Sequence, residues 1–499
     1  MAFVIRRDAL QVDLVKFLVN KTVDLHKLLW LTHTNSHRAT DMQLPFPLFA
    51  PLSYVKNCIE QLDCQLSKPQ IKNFIYIVSI MIVCGTMCLS TISLAICNKI
   101  SVSALSHFFS YSCLCGRSLM SSAVRWAIAL MGLTGVSIRL AIDDTLKHHS
   151  NGCRTIHSVY WLFDHVLGKC CNAKCIVFAY LIVNERIRFP IGWRVYRQGG
   201  PSKWKLALEL IDEAISYDLK ISVVLFDSWF CVKGFIKGLE KRRLRFIGDL
   251  KSSNTVEYRV QEAPKNTISL KICQLFNYGQ HLCKEVWLGL KSNEKEQPIR
   301  VLYTTYSIVT YVAALGGKYL VVKSTDQRTG KFKFLITNEL SWEASKVLEE
   351  YSYRWMIEEF FGNAKGLCGL EEACIRSEQG GALALFLVSF VDLLVSIQLW
   401  KSIHKCPAGK LPTVSAIIAS ATEENLRHLL ALIQQPEKLE EWVSVWLQVL
   451  QKKKNEMRRE RRSLATIGTK NDNPPPTCLS GDDISPSTDL SATKKELLL

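Results

Sequence analysis

At 499 residues, with 48% hydrophobic and 21% charged side chains, the chain holds enough apolar material for two or three domains and is not a disordered protein. Lysine and arginine exceed aspartate and glutamate by 62 to 45, a formal charge of +17. That excess favours a polyanionic partner, nucleic acid before an anionic membrane surface. The 18 cysteines are scattered through a long chain, which excludes a small disulfide-stapled fold.

The N-terminus is polar within its first eight residues (Arg6, Arg7, Asp8), so a secretory signal is not expected there. Residues 1–135 read as a helical region, with apolar groups at helical spacing at Val12, Leu14, Val15, Phe17 and Leu18. Phe74 to Cys97 is uncharged and long enough to span a bilayer. Its polar and small residues (Ser79, Gly85, Thr86, Ser90, Thr91, Ser93) fit a pair of buried core helices broken near Gly85 better. Thr91 to Phe109 reads as helix, polar break and second helix from Ser101 or Ser103, either a DNA-docking pair or an ordinary helical hairpin.

From about residue 137 strands and helices alternate. Val136–Ile142 is a strand ending at Asp143-Asp144-Thr145, followed by strands at Cys175–Val183 and Ile187–Tyr196. Trp204–Tyr217 is an amphipathic helix whose Trp204, Leu208, Ile211 and Ile215 share a face. Ile221–Phe226 is wholly apolar, the mark of a sheet interior, and Asp227 stops it. A basic helix (Val232–Arg243) and a fifth strand (Leu244–Leu250) follow, then a β-rich stretch at about 252–330. The strand Phe332–Thr337 leads into a long helix from Ser341 to Asn363. The fold class is α/β, with the order expected of a ribonuclease-H-like core carrying a β-rich insertion and preceded by a helical region. The expected division is 1–135 helical, 136–400 the ribonuclease-H-like core with its insertion, 401–450 C-terminal helices, and 451–499 a basic, then polar tail of disordered composition.

Cys153, Cys170, Cys171 and Cys175, with His157 and His165 nearby, fit no paired zinc spacing and read as buried, reduced thiols. The carboxylates carry more. Asp227 and Asp143-Asp144 occupy strand ends, where α/β sheets place catalytic groups. Brought side by side they repel unless a divalent cation lies between them, and Mg²⁺ suits that role; alternatively, each caps the next helix. On the long helix Tyr351, Arg354, Glu358 and Lys365 follow the spacing Y-x2-R-x3-E-x6-K. At about 100° per residue they share one stripe, with Met356, Ile357, Phe360 and Phe361 opposite.

The segments IDDT (142–145), LFDSWF (225–230) and YSYRWMIEEFFGNAK (351–365) resemble the three signature regions of DDE transposases of bacterial insertion sequences, in the insertion-sequence-four group. The resemblance spans about 135–400, and the helices before it are similar to that family's DNA-binding region. It implies that Asp144, Asp227 and Glu358 are the catalytic and metal-binding carboxylates, with Asp143 and Glu359 as neighbours in second place. It implies DNA contacts from Tyr351, Arg354 and Lys365, with Trp355 beside them and Lys251 as a further backbone contact. The cofactor would be Mg²⁺, two ions per site roughly 3.5–4 Å apart, with Mn²⁺ as substitute. The reaction would be hydrolysis at the element's end, freeing a 3′-hydroxyl that then attacks a target strand. The implied partners are double-stranded DNA (element ends and target) and a second copy of the chain in the DNA complex, with no membrane and a cytoplasmic, nucleoid-associated location. His148 and His149 depart from the family's turn after IDDT and are expected to be loop residues. The rival is an inactive or domesticated transposase that binds DNA without cutting it; none of its three carboxylates is lost.

Overall fold

The computed structural model describes residues 51–432, apart from 63–65, 97–99, 113, 151, 154, 260–266, 277–281, 291–298 and 404–412. The expectations for residues 1–50 and for the tail lie outside the described residues. Five helices come first: α1 (Ser53–Glu60), α2 (Lys68–Cys84), α3 (Leu89–Ala95), α4 (Val102–Tyr111) and α5 (Gly116–Met131). Then follow β1 (Ser137–His148), β2 (Tyr160–Asp164), β3 (Lys169–Ile182), β4 (Arg188–Val195), α6 (Lys203–Ile215), β5 (Lys220–Phe226), α7 (Lys233–Lys241) and β6 (Phe246–Asp249). The next stretch holds β7 (Thr255–Arg259), β8 (Thr267–Lys271), α8 (Ile272–Leu275), β9 (Leu282–Leu290), β10 (Ile299–Val312), β11 (Gly317–Asp326) and β12 (Phe332–Thr337). The last helices are α9 (Ala344–Ser352), α10 (Trp355–Gly366), α11 (Glu378–Ile403) and α12 (Val414–Leu432).

The strands form one sheet in the order β2-β3-β1-β5-β6-β12-β11-β10-β7-β8, with β4 on β3 and β9 on β10. The β1–β5 and β5–β6 pairs are parallel and the others antiparallel. The β-rich stretch expected as an insertion extends this sheet, because β12 pairs with β6 and β11 and β10 continue outward. Two other departures matter for the site. β1 does not end at Asp143-Asp144-Thr145; β3 keeps it paired as far as His148, whereas β5 stops opposite Ile142. The two aspartates therefore stand on a shoulder where one neighbour has run out. The second departure is in the expected long helix, which splits into α9 and α10 with Tyr353 and Arg354 between them. The single-helix stripe does not apply across that break.

The uncharged stretch forms α2 and α3, set 99° apart. α2 begins where Gln70 Oε1 accepts the Ser67 N–H at 2.9 Å and ends where Gly85 takes a left-handed φ of 58°. Phe74, Ile77, Val78, Ile80 and Met81 are fully buried, and Phe74 stacks on Phe386 and Phe390 of α11. The helix–break–helix reading is realised as α3 and α4, with the Ser101 hydroxyl capping α4 at the Ala104 N–H. α6 has two apolar sides, not one. Leu206, Ala207, Leu210 and Ala214 are buried, while Trp204 and Leu208 sit on Gly234 and Gly238 of α7, and Ile215 is exposed. The described cysteines are free thiols except Cys170, which is disulfide-bonded, so the all-reduced expectation fails there.

α11 is the hub, and the expected boundary at residue 400 falls inside it. It is apolar on every side and long enough to cross a bilayer, yet 83% of its most apolar window is buried inside the protein. α5 crosses it at Gly116, where a Cβ would meet the Ala382 carbonyl oxygen at 2.5 Å. Backbone cannot swing aside as a side chain can. Gly116→Ala is therefore expected to lower the unfolding free energy by about 1–3 kcal/mol, read from urea melts.

Asp392 is the one acid inside the apolar stretch of α11, and it accepts the Tyr180 hydroxyl at 3.1 Å. Burial pushes its pKa up to about 7, against the lowering effects of Arg188 and the Tyr180 hydrogen bond. The native state thus keeps a proton that the unfolded chain releases near pH 4, and stability falls as pH rises from about 4 through 7. Asp392→Asn should remove that part of the slope. Urea midpoints at pH 4.5 and 7.5, compared with the parent, measure it.

Candidate active site

Alternation along β1 sends neighbouring aspartates to opposite faces. Odd-numbered residues face the α9–α10 side: Arg139 binds Glu350, Asp143 binds Arg354, and Lys147 donates to the Leu370 and Ala373 carbonyls. Asp144 points the other way, toward the start of α6. Both its oxygens face Lys203 Nζ at 3.2 and 3.3 Å, and the Cys175 thiol donates to it at 3.2 Å.

Asp143 and Asp144 consequently differ in what they can offer. The Oδ1 of Asp143 accepts the Asp144 N–H at 2.8 Å and its Oδ2 accepts Arg354 Nη1 at 2.9 Å. Burial, then Asp227, holds its carboxyl well above the usual range. Asp143, Asp144 and Asp227 all line an open cleft of about 500 Å³, together with Lys203, Trp229, His148 and Lys365. Asp227 follows β5 directly and accepts the Trp229 N–H at 3.0 Å. Burial, then the Asp144 charge, pushes its pKa up to about 6.

The third carboxylate is drawn in by one side chain. Arg354, only 9% exposed, binds Asp143 through Nη1 and Glu358 through Nη2. A single guanidinium thus spans the sheet edge and α10, and the acid of the helix lies beside those of β1. The hydrophobic side of α10 fixes this, since Ile357 and Phe360 are buried and Phe360 packs on Phe178 and Tyr180 of β3.

The residues expected to meet DNA divide. Lys365 reaches the cleft, donating to the Leu146 carbonyl at 2.9 Å and pairing with Glu371 at 3.4 Å. Trp355 is 60% exposed. Lys251 is exposed beyond β6, its ammonium 4.6 Å from the centre of the Trp229 ring. Tyr351 and Arg354 are instead buried, the tyrosine with its hydroxyl directed at the Phe226 carbonyl 3.4 Å away. Neither is among the residues that line the cleft. Glu359 is taken by Arg188 at 2.6 Å. Sequence reading missed Lys203 and Trp229. Lys203 sits 4.7 Å from the Trp229 ring centre on the side of Asp144, and the His165 ring lies 4.9 Å from it. The sequence signal was there: Trp229 stands two residues past Asp227 inside LFDSWF.

A family model for DDE superfamily endonucleases matches residues 75–270. The match runs from α2 to β8 and takes in Asp143, Asp144 and Asp227, while Glu358 lies beyond it. It supports a transposase-like nuclease, a divalent-metal requirement, a DNA substrate and a ribonuclease-H-like α/β core. The strands agree with that core, with β4, β3, β1, β5 and β6 adjacent in that order and β1, β5 and β6 parallel. A search of curated proteins returns no match.

The donor set fits a hard dication. Asp144 and Asp227 are partly buried oxygen donors whose mutual repulsion already raises Asp227, and a cation would offset it. The three carboxylates of Asp144, Asp227 and Glu358 do not all lie within 4.8 Å of one another.

Proposed function

We propose that the protein is a DNA transposase that cuts the ends of its own element and joins the freed 3′-hydroxyl to target DNA. The single observation carrying this reading is the Arg354 bridge, which ties the acid of α10 to the shoulder of β1 beside Asp227. In this reading Asp144, Asp227 and Glu358 hold the metal, Mg²⁺ in the cell with Mn²⁺ as substitute. The bound cations would stabilise charge on the attacking and leaving oxygens of the phosphodiester. Asp144 is preferred to Asp143 because Asp143 is held by a backbone amide and by the buried Arg354, whereas Asp144 meets Lys203, itself a residue of the cleft lining.

The chain's own residues do the positioning. Asp143 fixes Arg354, and Arg354 fixes Glu358. Lys203, Lys251 and Lys365 line or flank the cleft and would take the DNA backbone, with Trp229 as a flat apolar wall between two of them. Binding through such cations weakens steeply with salt. The α3–α4 pair would add DNA affinity, and a second copy of the chain would hold the other element end in the cytoplasm.

The test is a duplex carrying the element's own terminal sequence. With Mg²⁺ the protein is expected to nick it, leaving a 3′-hydroxyl, and then to join that end to a second duplex. Stable binding without a nick would favour the binding-only rival.

A further inference from the structure

Asp144 is not the last polar side chain on its face of β1. His148, four residues further on the same face, lies about 13 Å away along the strand. It pairs with Ala173 of β3, and Cys171 lies two residues along from Ala173 on the same side. Cys171 in turn pairs with Leu162 of β2, two residues from Asp164. The ladder therefore projects His148, Cys171 and Asp164 from one face of three adjacent strands.

We infer that His148, Asp164 and Cys171 form a second metal site, for a cation of the zinc class, at the far end of the cleft from Asp144 and Asp227. One ligand atom from each residue lies within 4.8 Å of the other two, the only such trio of His, Cys and acidic groups among the described residues. An imidazole, a carboxylate and a thiolate form a donor set that selects Zn²⁺ over Mg²⁺. His148 and Asp164 line the cleft, so a fourth position faces open space, while Cys171 is buried beneath them.

The surroundings hold the donors in place. Asp164 Oδ1 accepts the Val166 and Leu167 amides at 2.7 and 3.0 Å, which leaves Oδ2 toward His148 Nε2 at 2.7 Å. Glu371 accepts the His148 N–H at 3.2 Å, anchoring the end of β1. Burial, then Asp164, pushes the Cys171 thiol up to about 11, and a dication beside it would reverse that, sending the thiol proton to solvent. An ordinary His–Asp hydrogen bond explains one of these contacts but gives no reason for the sulfur between the two strands.

The test uses the full chain, stripped with EDTA and titrated with Co²⁺ in excess Mg²⁺. Binding of about one equivalent should give a thiolate-to-cobalt charge-transfer band and the visible bands of a tetrahedral ion, both abolished by Zn²⁺. Cys171→Ser should lose the charge-transfer band, and His148→Ala should weaken Co²⁺ binding at least roughly tenfold. If Cys171→Ser does not fold, as judged by near-UV circular dichroism, Asp164→Asn serves instead, with the same weakening expected as for His148→Ala. No band in the parent, or a band undiminished in these variants, overturns the site. Asp227→Ala should keep the band, so this result stands apart from the fate of the nuclease reading.

Discussion

Asp227→Ala protein is expected to bind element-end DNA as tightly as the parent while cleaving it roughly 10³-fold or more slowly. Asp227 is fixed by the end of β5 and by the Trp229 amide, so its carboxylate cannot be replaced by a neighbour moving in. Losing it leaves Asp144 beside Asp143, whose oxygens are held by the Asp144 amide and Arg354, a poor cage for a dication that needs several oxygens. Binding depends on different groups. Lys203, Lys251 and Lys365 remain, and deleting a negative charge among them does not reduce attraction for phosphate. Glu358→Ala should behave the same way, because it also removes a metal oxygen and no cation. Mobility shifts and nicking on one duplex separate the two quantities. Cleavage near the parental rate in either variant contradicts the assignment.

Arg354→Ala should be the most damaging single change to the fold of the site. Among the described residues the guanidinium is the sole side-chain partner of Asp143 Oδ2, and the carboxylate it leaves is buried, with Asp227 nearby. Breaking a buried pair from one side costs about 3–5 kcal/mol, because the remaining charge is uncompensated. A urea melt should show that loss. Asp143→Asn placed in the same chain should recover part of it, since the amide needs no counter-charge; additivity of the two changes would contradict the pair. Arg354→Lys is expected to lose cleavage as well, because one ammonium cannot hold Asp143 and Glu358 together.

Much of this was legible in the residues. The apolar run before Asp227 fixed β5, and the spacing from Tyr351 to Lys365 identified the helical segment that carries Glu358. Three features were hidden for distinct reasons. Period alone cannot show that β3 outlasts β5 along β1, so the strand seemed to end at its first carboxylate. Nothing in the helical spacing marked the break at Tyr353–Arg354, and the tyrosine that seemed to face DNA went into the core. β2 was missed because its hairpin turns at Gly168 with φ of 64° among mixed side chains, and with it went the pairing of Asp164 and His148. His148, expected in a loop, is the last residue of β1. Contacts between elements far apart in sequence, such as Asp143 with Arg354, leave no local trace at all.

Anomalous diffraction from crystals soaked in Mn²⁺ tests the central claim most directly. Manganese is expected between Asp144 and Asp227, with Glu358 turned off Arg354 to join them. Manganese bound elsewhere, with these carboxylates left on Lys203 and Arg354, would contradict it.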